Sequence, residues 1–169
     1  MKAMVKLLTY LFLLTFSLPL AAQELKSNGT VAFLGLTFID TSTEGAYNGS
    51  REDESARLQL VEAEIRERFA AEGFTLLDLA PIAEELDNTV NPANCYGCEL
   101  RMAAKLDADY VLVGVVQKVS NLIISMNMVM RDVKTEAVVR GQSVDVRSNT
   151  DDSWLRGMRY IMKNTFFKA

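Results

Sequence analysis

The sequence predicts an α/β fold, more narrowly an α+β fold, with a single mixed β-sheet of about five strands flanked by helices. Three observations predict it. The first half of the chain alternates short apolar runs with stretches whose apolar residues recur at helical spacing. Two stretches of alternating polarity then follow each other across a short polar turn. The chain closes on an amphipathic segment, so the predicted order is β-α-β-α-α-β-β-β-α.

The first third of the chain predicts a buried strand, a polar loop and a long helix. Residues 31–39 form an apolar run that Asp40 ends, which is typical of a strand buried on both faces. Residues 40–50 are polar and contain two glycines as breakers, so they predict a loop. The long helix, which Gly73 stops, is predicted from four apolar residues at helical spacing: Leu58, Val61, Ile65 and Phe69.

The rest of the chain predicts the remaining elements. Pro81 suits the first turn of a short helix. In the alternating stretch, Ile124, Met126, Met128 and Met130 share one face, as apolar residues of a half-buried strand do. The predicted elements are a strand at 74–79, a short helix at 82–86, a helix from the cysteine pair to Leu106, a buried strand at 110–116, two hairpin strands at 121–131 and 137–146, and a last helix beginning at Thr150 or Asp151.

Residues 1–22 predict a secretory signal peptide. Two lysines precede an apolar run at 7–18, and the chain then reaches a cleavage region that ends at Ala22. The apolar run is shorter than the roughly 20 residues that a membrane-spanning helix needs. We therefore expect export to the periplasm, cleavage near Ala22, and a mature single domain, residues 23–169, without a membrane span.

The composition excludes several classes of function. The chain has 22 acidic residues against 18 Lys and Arg, a net charge of −4, so we expect no nucleic-acid partner. It contains no histidine, which removes the commonest general base and the usual imidazole ligands of zinc and copper. No catalytic constellation is recognisable, so the sequence predicts a non-enzymatic protein without a cofactor.

The only two cysteines, Cys95 and Cys98, lie three residues apart at the start of a predicted helix. A disulfide that pins the loop to the helix, a redox-active dithiol and a metal site, for example one shared between two chains, are all compatible with this spacing, and the disulfide is favoured. A thioredoxin-type enzyme is disfavoured because no Trp precedes Cys95. The prolines also lie upstream of the cysteines, so the cis-proline that such enzymes carry after the motif is missing. Zinc is disfavoured because only two thiols exist per chain, and haem attachment because Glu99 stands where a histidine would be needed.

Two groups of charged residues are candidate partner-binding sites. Asp40 and Glu44 lie in the acidic loop after the first strand, where open α/β sheets tend to bind ligands, although the spacing fits no calcium loop. Arg156, Arg159 and Lys163 follow one side of the last helix and could dock on an acidic partner. We assign no metal ligand to either group.

Part of the sequence resembles the amino-terminal domain of the periplasmic protein TolB and its relatives. The run from Asp107 to Lys118 resembles that family's ADYVLVG-type strand, and Arg131 to Glu136 resembles its hairpin turn, with Glu136 where the family usually has glycine. The resemblance covers most of residues 30–166. It implies a TolB amino-terminal-like fold and a role in binding other envelope proteins, with a turn of another type at Glu136.

A second resemblance, carried by Cys95 to Leu100 and by the run that ends at Leu122, is to a bacterial family of exported proteins of unknown function. That family is associated with periplasmic alcohol oxidation by quinone-cofactor enzymes. The implied function is that of a periplasmic accessory protein that binds a protein partner. A thiol–disulfide or electron-transfer component and a periplasmic metal binder remain as alternatives.

Overall fold

One mixed sheet organises the fold. The computed structural model describes residues 25–26, 28–49 and 51–168, so the predicted signal peptide, residues 1–22, lies outside the described residues. The strands run in the order β2-β1-β3-β4-β5. β1 pairs in parallel with β2 and with β3, whereas β4 pairs antiparallel with β3 and with β5. The predicted mixed five-stranded sheet with flanking helices is confirmed.

The strands are β1 (Thr30–Asp40), β2 (Thr75–Leu76), β3 (Tyr110–Ser120), β4 (Ile123–Asp132) and β5 (Val138–Arg147). The α-helices are α1 (Thr43–Asn48), α2 (Glu52–Ala71), α3 (Ala83–Asp87), α4 (Cys98–Lys105) and α5 (Asp151–Ile161). Short 3₁₀ turns lie at Ala80–Ile82 and Pro92–Asn94, and a π-helical turn at Met162–Phe166 extends α5. Among the described residues no helix is both long and apolar enough to cross a bilayer.

The two faces of the sheet bury separate apolar cores. One core packs α2 and α5 against the strands and includes Val61, Ile65 and Trp154. The predicted methionine face lies here, because Met126, Met128 and Met130 are all fully buried. The other core packs α4 and the segment before it against the opposite face of β1 and β3.

The structure differs from the sequence prediction between β1 and α2, where α1 replaces the predicted loop. Ser42 caps this helix, because its side chain accepts a hydrogen bond from the Gly45 amide at 3.1 Å. The Asp40 carboxylate holds the cap in turn, accepting from the Ser42 amide at 2.8 Å and hydroxyl at 2.5 Å. A Cβ at Gly45 would overlap that carboxylate, so this glycine permits a close approach rather than breaking a helix.

Two further features differ in detail from the sequence prediction. β2 pairs with β1 only at Thr75 and Leu76, because Asp78 then accepts from the Ala80 amide and turns the chain away. At the hairpin turn Glu136 has a φ of 59°, the left-handed conformation that favours glycine. Glu136 thus adopts a glycine-like backbone conformation, and the expected difference in turn type stays a prediction.

Gly157 on α5 tests how tightly the first core is packed. A Cβ there would lie 2.6 Å from Val146 Cγ1 and 3.0 Å from Met126 Sδ. We expect Gly157→Ala to lower the free energy of unfolding by about 1–3 kcal/mol, measured by urea denaturation. Gly141→Ala on β5 is the control, since its Cβ would meet nothing closer than 3.7 Å, and its stability should lie within about 1 kcal/mol of wild type. Equal stabilities of the two variants would contradict the packing.

Candidate functional site

A fully buried lysine stands at the end of β3. The side chains of Leu112 and Val116 point into the first core, and Lys118 shares their face because strand side chains alternate. Its side chain is 0% exposed. Its ammonium Nζ lies 2.8 Å from Glu54 Oε1, 3.1 Å from Glu44 Oε2 and 3.2 Å from Asp40 Oδ2. We call these four side chains the Lys118 cluster.

Three different elements bring the carboxylates to this lysine. Asp40 is the last residue of β1, which runs parallel to β3, so both strands end at the same edge of the sheet. Glu44 and Glu54 lie in the first turns of α1 and α2, where the helix dipole favours a negative charge. The predicted partner-binding residues Asp40 and Glu44 are therefore both engaged with Lys118.

The electrostatics of the cluster favour the charged forms. Burial alone would lower the pKa of Lys118, but its hydrogen bonds to Glu54, Glu44 and Asp40 outweigh burial and raise the pKa above its usual range. Burial would raise the pKa of Asp40, yet hydrogen bonds from Ser42 and Lys118 hold it below its ordinary value. A lysine held protonated cannot act as a base or nucleophile, so the cluster is suited to holding structure rather than to catalysis.

An asparagine connects the cluster to α5. The Asn149 amide donates to Glu54 Oε1 at 2.7 Å, and its carbonyl oxygen accepts from the Arg57 guanidinium at 2.9 Å and Trp154 Nε1 at 3.0 Å. Arg57 also donates to Asp151 Oδ1 at 2.8 Å, in the first turn of α5. One hydrogen-bonded network therefore joins the sheet to both long helices.

The basic residues predicted on the last helix line two different clefts. Arg159 donates to both carboxylate oxygens of Glu64, at 2.9 and 2.7 Å, and with Lys163 it lines a cleft between α2 and α5. Arg156 lies instead in a groove beside β5, together with Tyr160. Arg156 and Lys163 are exposed, whereas Arg159 already has a partner within the chain.

On the opposite face of the sheet, a disulfide loop precedes α4. Cys95 and Cys98 form a disulfide, which confirms the favoured interpretation of the cysteine pair. Between them, Tyr96 has a φ of 55° and Gly97 a φ of 86°, both in the left-handed region. Cys98 packs into the second core, while the Tyr96 side chain is 98% exposed. The loop is therefore anchored by Cys98 and exposes the Tyr96 side chain to solvent.

Glu99 lies under this loop and faces the disulfide. It is only 6% exposed, and its Oε1 accepts from the Arg131 guanidinium at 2.6 Å. Its Oε2 lies 3.3 Å from Cys95 Sγ. Within the described part of the chain, Cys95, Cys98 and Glu99 are the one group of three thiol or carboxylate side chains close enough to share a metal ion.

The family of this protein is shown by residues 29–166, which match the model of a family described as "Protein of unknown function (DUF2380)". The chain belongs to this family. That match spans both the Lys118 cluster and the disulfide loop. No curated protein matches the sequence.

Solved structures share the fold. The chain is similar to the LpoB C-terminal domain from Salmonella enterica, with 16% identity and a TM-score of 0.54, over 76% of this chain and 90% of that domain. It is also similar to the LpoB C-terminal domain from Escherichia coli, with 18% identity and a TM-score of 0.51, over 75% and 88% of the two chains. TolB from Acinetobacter baumannii matches with 11% identity and a TM-score of 0.40, over 85% of this chain and 30% of TolB.

The sequence prediction missed Lys118, Glu54 and Asn149 as members of one network. One signal for Lys118 was present, because it stands an even number of positions after the core residues Leu112 and Val116. No signal in the sequence pointed to Asn149, which reaches the cluster from the loop after β5.

Lys118→Ala tests whether the fold depends on the cluster. The substitution leaves the carboxylate of Glu54, whose side chain is 1% exposed, without its cation. We expect the free energy of unfolding to fall by about 3–5 kcal/mol at neutral pH, measured by urea denaturation. Lys105→Ala is the control, because Lys105 is 59% exposed in its pair with Glu85 and exposed pairs contribute about 1 kcal/mol or less. Similar losses in both variants would contradict a special role for Lys118.

The acidic neighbours of the cluster predict a loss of stability at low pH. Hydrogen bonds from Arg51 lower the pKa of Asp53 to about 2, from an ordinary 3.8. Because the carboxyl of Asp53 has a lower pKa in the folded protein than in the unfolded chain, its ionised form stabilises the fold at pH values above the unfolded pKa. This stability is lost as the pH falls from 3.8, the unfolded pKa, to about 2, the folded pKa. In Arg51→Gln this loss should be smaller, measured as the melting temperature against pH. Lys134→Gln, which changes an exposed residue of the β4–β5 turn, should follow wild type; the same curve for Arg51→Gln would refute the assignment.

Proposed function

We propose that this protein is a periplasmic, non-enzymatic accessory protein that binds a protein partner through the disulfide loop. The observation that carries the proposal is Tyr96, an aromatic side chain that is 98% exposed on a loop closed by the Cys95–Cys98 disulfide. At this exposure, the Tyr96 side chain makes almost no contact with the rest of the described chain. Tyrosine is among the residues that contribute most of the binding energy in protein interfaces.

The loop is pre-organised for such a contact. The disulfide closes a ring of four residues, and Cys98 anchors it in the second core. On binding, a side chain held on a rigid loop loses less conformational entropy than one on a flexible loop. Arg101 lies beside the tyrosine, with its guanidinium 3.5 Å from the Tyr96 carbonyl oxygen, and Val90 is 95% exposed in the preceding segment. Tyrosine and arginine are both enriched in the cores of protein interfaces.

The Lys118 cluster is not the proposed partner-binding surface. Its charges are paired with one another, and Lys118 and Glu54 are inaccessible. Arg156 and Lys163 on the last helix are exposed and form a further proposed contact for an acidic partner, whereas Asp40, Glu44 and Arg159 are already engaged in ion pairs.

The proposed compartment and the proposed class of partner depend on the sequence. Export and cleavage near Ala22 follow from the signal-peptide pattern of residues 1–22. We propose that the partner is a component of periplasmic quinoprotein alcohol oxidation, which is what the resemblance carried by Cys95 to Leu100 implies. Thiol–disulfide exchange is the second candidate function, favoured by the position of Cys98 at the first turn of α4, where a thiolate is stabilised. Insulin-reducing activity that Cys95→Ser abolishes would establish exchange in place of docking.

The docking proposal is tested by a photo-crosslinking amino acid placed at position 96 in cells that export the protein. Tyr47 on α1 is the matched control position, because it is also a tyrosine and is 84% exposed beside the Lys118 cluster. We expect one dominant adduct from position 96 and none of the same mass from position 47. With the partner identified from that adduct and purified, Tyr96→Ala should weaken the affinity about 30-fold, and Tyr47→Ala should leave it unchanged. Equal adduct yields at both positions, or no adduct at position 96, would refute the proposal.

A further inference from the structure

The buried carboxylate of Glu99 is oriented by one partner and directed at another. Arg131 donates to Oε1 at 2.6 Å. Arg131 is itself fixed, because its Nε and a terminal nitrogen donate to the Glu136 carbonyl oxygen at 3.1 and 2.8 Å. This leaves Oε2 directed at Cys95 Sγ, 3.3 Å away.

In the oxidised protein, that second carboxylate oxygen accepts no hydrogen bond from the residues that the structure describes. A disulfide sulfur carries no proton, so the contact between Oε2 and Cys95 Sγ is not a hydrogen bond. Among the described residues, the hydrogen bonds to Glu99 side-chain oxygens come from Arg131 and reach Oε1. A carboxylate oxygen in a side chain that is 92% buried requires a donor or a cation.

We propose that reduction of the Cys95–Cys98 disulfide converts this loop into a zinc site with Cys95, Cys98 and Glu99 as its protein ligands. The three ligand atoms already lie within 4.8 Å of one another. Zinc binds thiolate sulfur at about 2.3 Å and carboxylate oxygen at about 2.0–2.2 Å, so these tetrahedral ligands lie about 3.5–3.8 Å apart. Oε2 and Cys95 Sγ, at 3.3 Å, are already close to that separation, and opening the S–S bond lets the two sulfurs move apart.

The charges in the reduced, zinc-loaded loop balance. Two thiolates and one carboxylate carry three negative charges, which Zn²⁺ and the Arg131 guanidinium neutralise. Cys98 is the first residue of α4, where the helix dipole stabilises a thiolate. Arg131 acts as a positioning residue, because it holds Oε1 and presents Oε2 as a single ligand, as outer-shell partners of metal ligands commonly do. The fourth zinc position remains for water.

The chemistry makes the site dependent on redox state. A dithiol reductant supplies two electrons and two protons, becomes a disulfide itself, and breaks the Cys95–Cys98 bond to give two thiols. Zinc then displaces both thiol protons to solvent. The oxidised loop lacks thiolates and does not bind the ion, so residues 95–99 form either a structural bridge or a metal site. Two thiols per chain are too few for a zinc site by themselves, and Glu99 supplies a third ligand.

The proposal is tested by titrating Zn²⁺ into the purified protein in competition with a chromophoric chelator. The protein is used oxidised and after reduction with a phosphine, which is converted to its oxide as water supplies the oxygen and both thiol protons. We expect one Zn²⁺ per reduced chain and at least 100-fold weaker binding to the oxidised protein. Equal binding by both forms would overturn the proposal, and so would absence of binding by the reduced form.

Variants separate the three-ligand site from a plain dithiol. Glu99→Gln should weaken Zn²⁺ binding at least 10-fold, and Arg131→Gln about 10-fold, as outer-shell losses do. Glu84→Gln, which changes an exposed glutamate on α3, should bind like wild type. Affinity unchanged in Glu99→Gln would overturn the proposal.

Glu99→Gln leaves the Arg131 guanidinium without its carboxylate, which could disturb the fold. The double variant Glu99→Gln/Arg131→Met removes both charges and should show the same loss of Zn²⁺ affinity as Glu99→Gln. With Co²⁺ as the probe, the wild-type spectrum should show thiolate-to-cobalt charge transfer and the strong visible bands of four-coordinate cobalt. Their persistence unchanged in the double variant would count equally against Glu99 as a ligand.

Discussion

The fold depends on keeping a charged lysine inside an apolar core. An ammonium without counter-ions costs several kcal/mol in such a place, so Lys118 requires its carboxylates. Because Asp40, Glu44 and Glu54 belong to β1, α1 and α2, this one requirement fixes the end of the sheet and the entry to both helices. Asn149 extends the constraint to α5 through Trp154.

The two faces of the sheet differ in what they carry. The α2 and α5 face is occupied by an apolar core that the Lys118 cluster closes. The α4 face carries the disulfide loop. Tyr96 is exposed and Glu99 is buried, so the proposed docking and the proposed zinc binding use different side chains of this region.

Local patterns were sufficient for most elements and insufficient for the site. The alternation around Met126, Met128 and Met130 predicted a strand with a buried face, and the core confirms it. The loop predicted at 40–50 was wrong because Gly45 is present for its close approach to Asp40, a contact made across a turn. Glu54 stands among charged residues at the start of the long helix, yet it is fully buried. Its burial depends on Lys118, which lies 64 positions later in the chain.

The sequence by itself determined the mixed sheet, the hairpin, the long helices and the favoured disulfide, because each follows from periodicity or from residues close together in the chain. Only the tertiary structure decided which charges are paired and which are free. Ion pairs such as Lys118 with Glu54, and Arg131 with Glu99, join residues of different elements, and no local period encodes them. Their formation depends on strand register and helix packing, which bring distant side chains within 3 Å of one another.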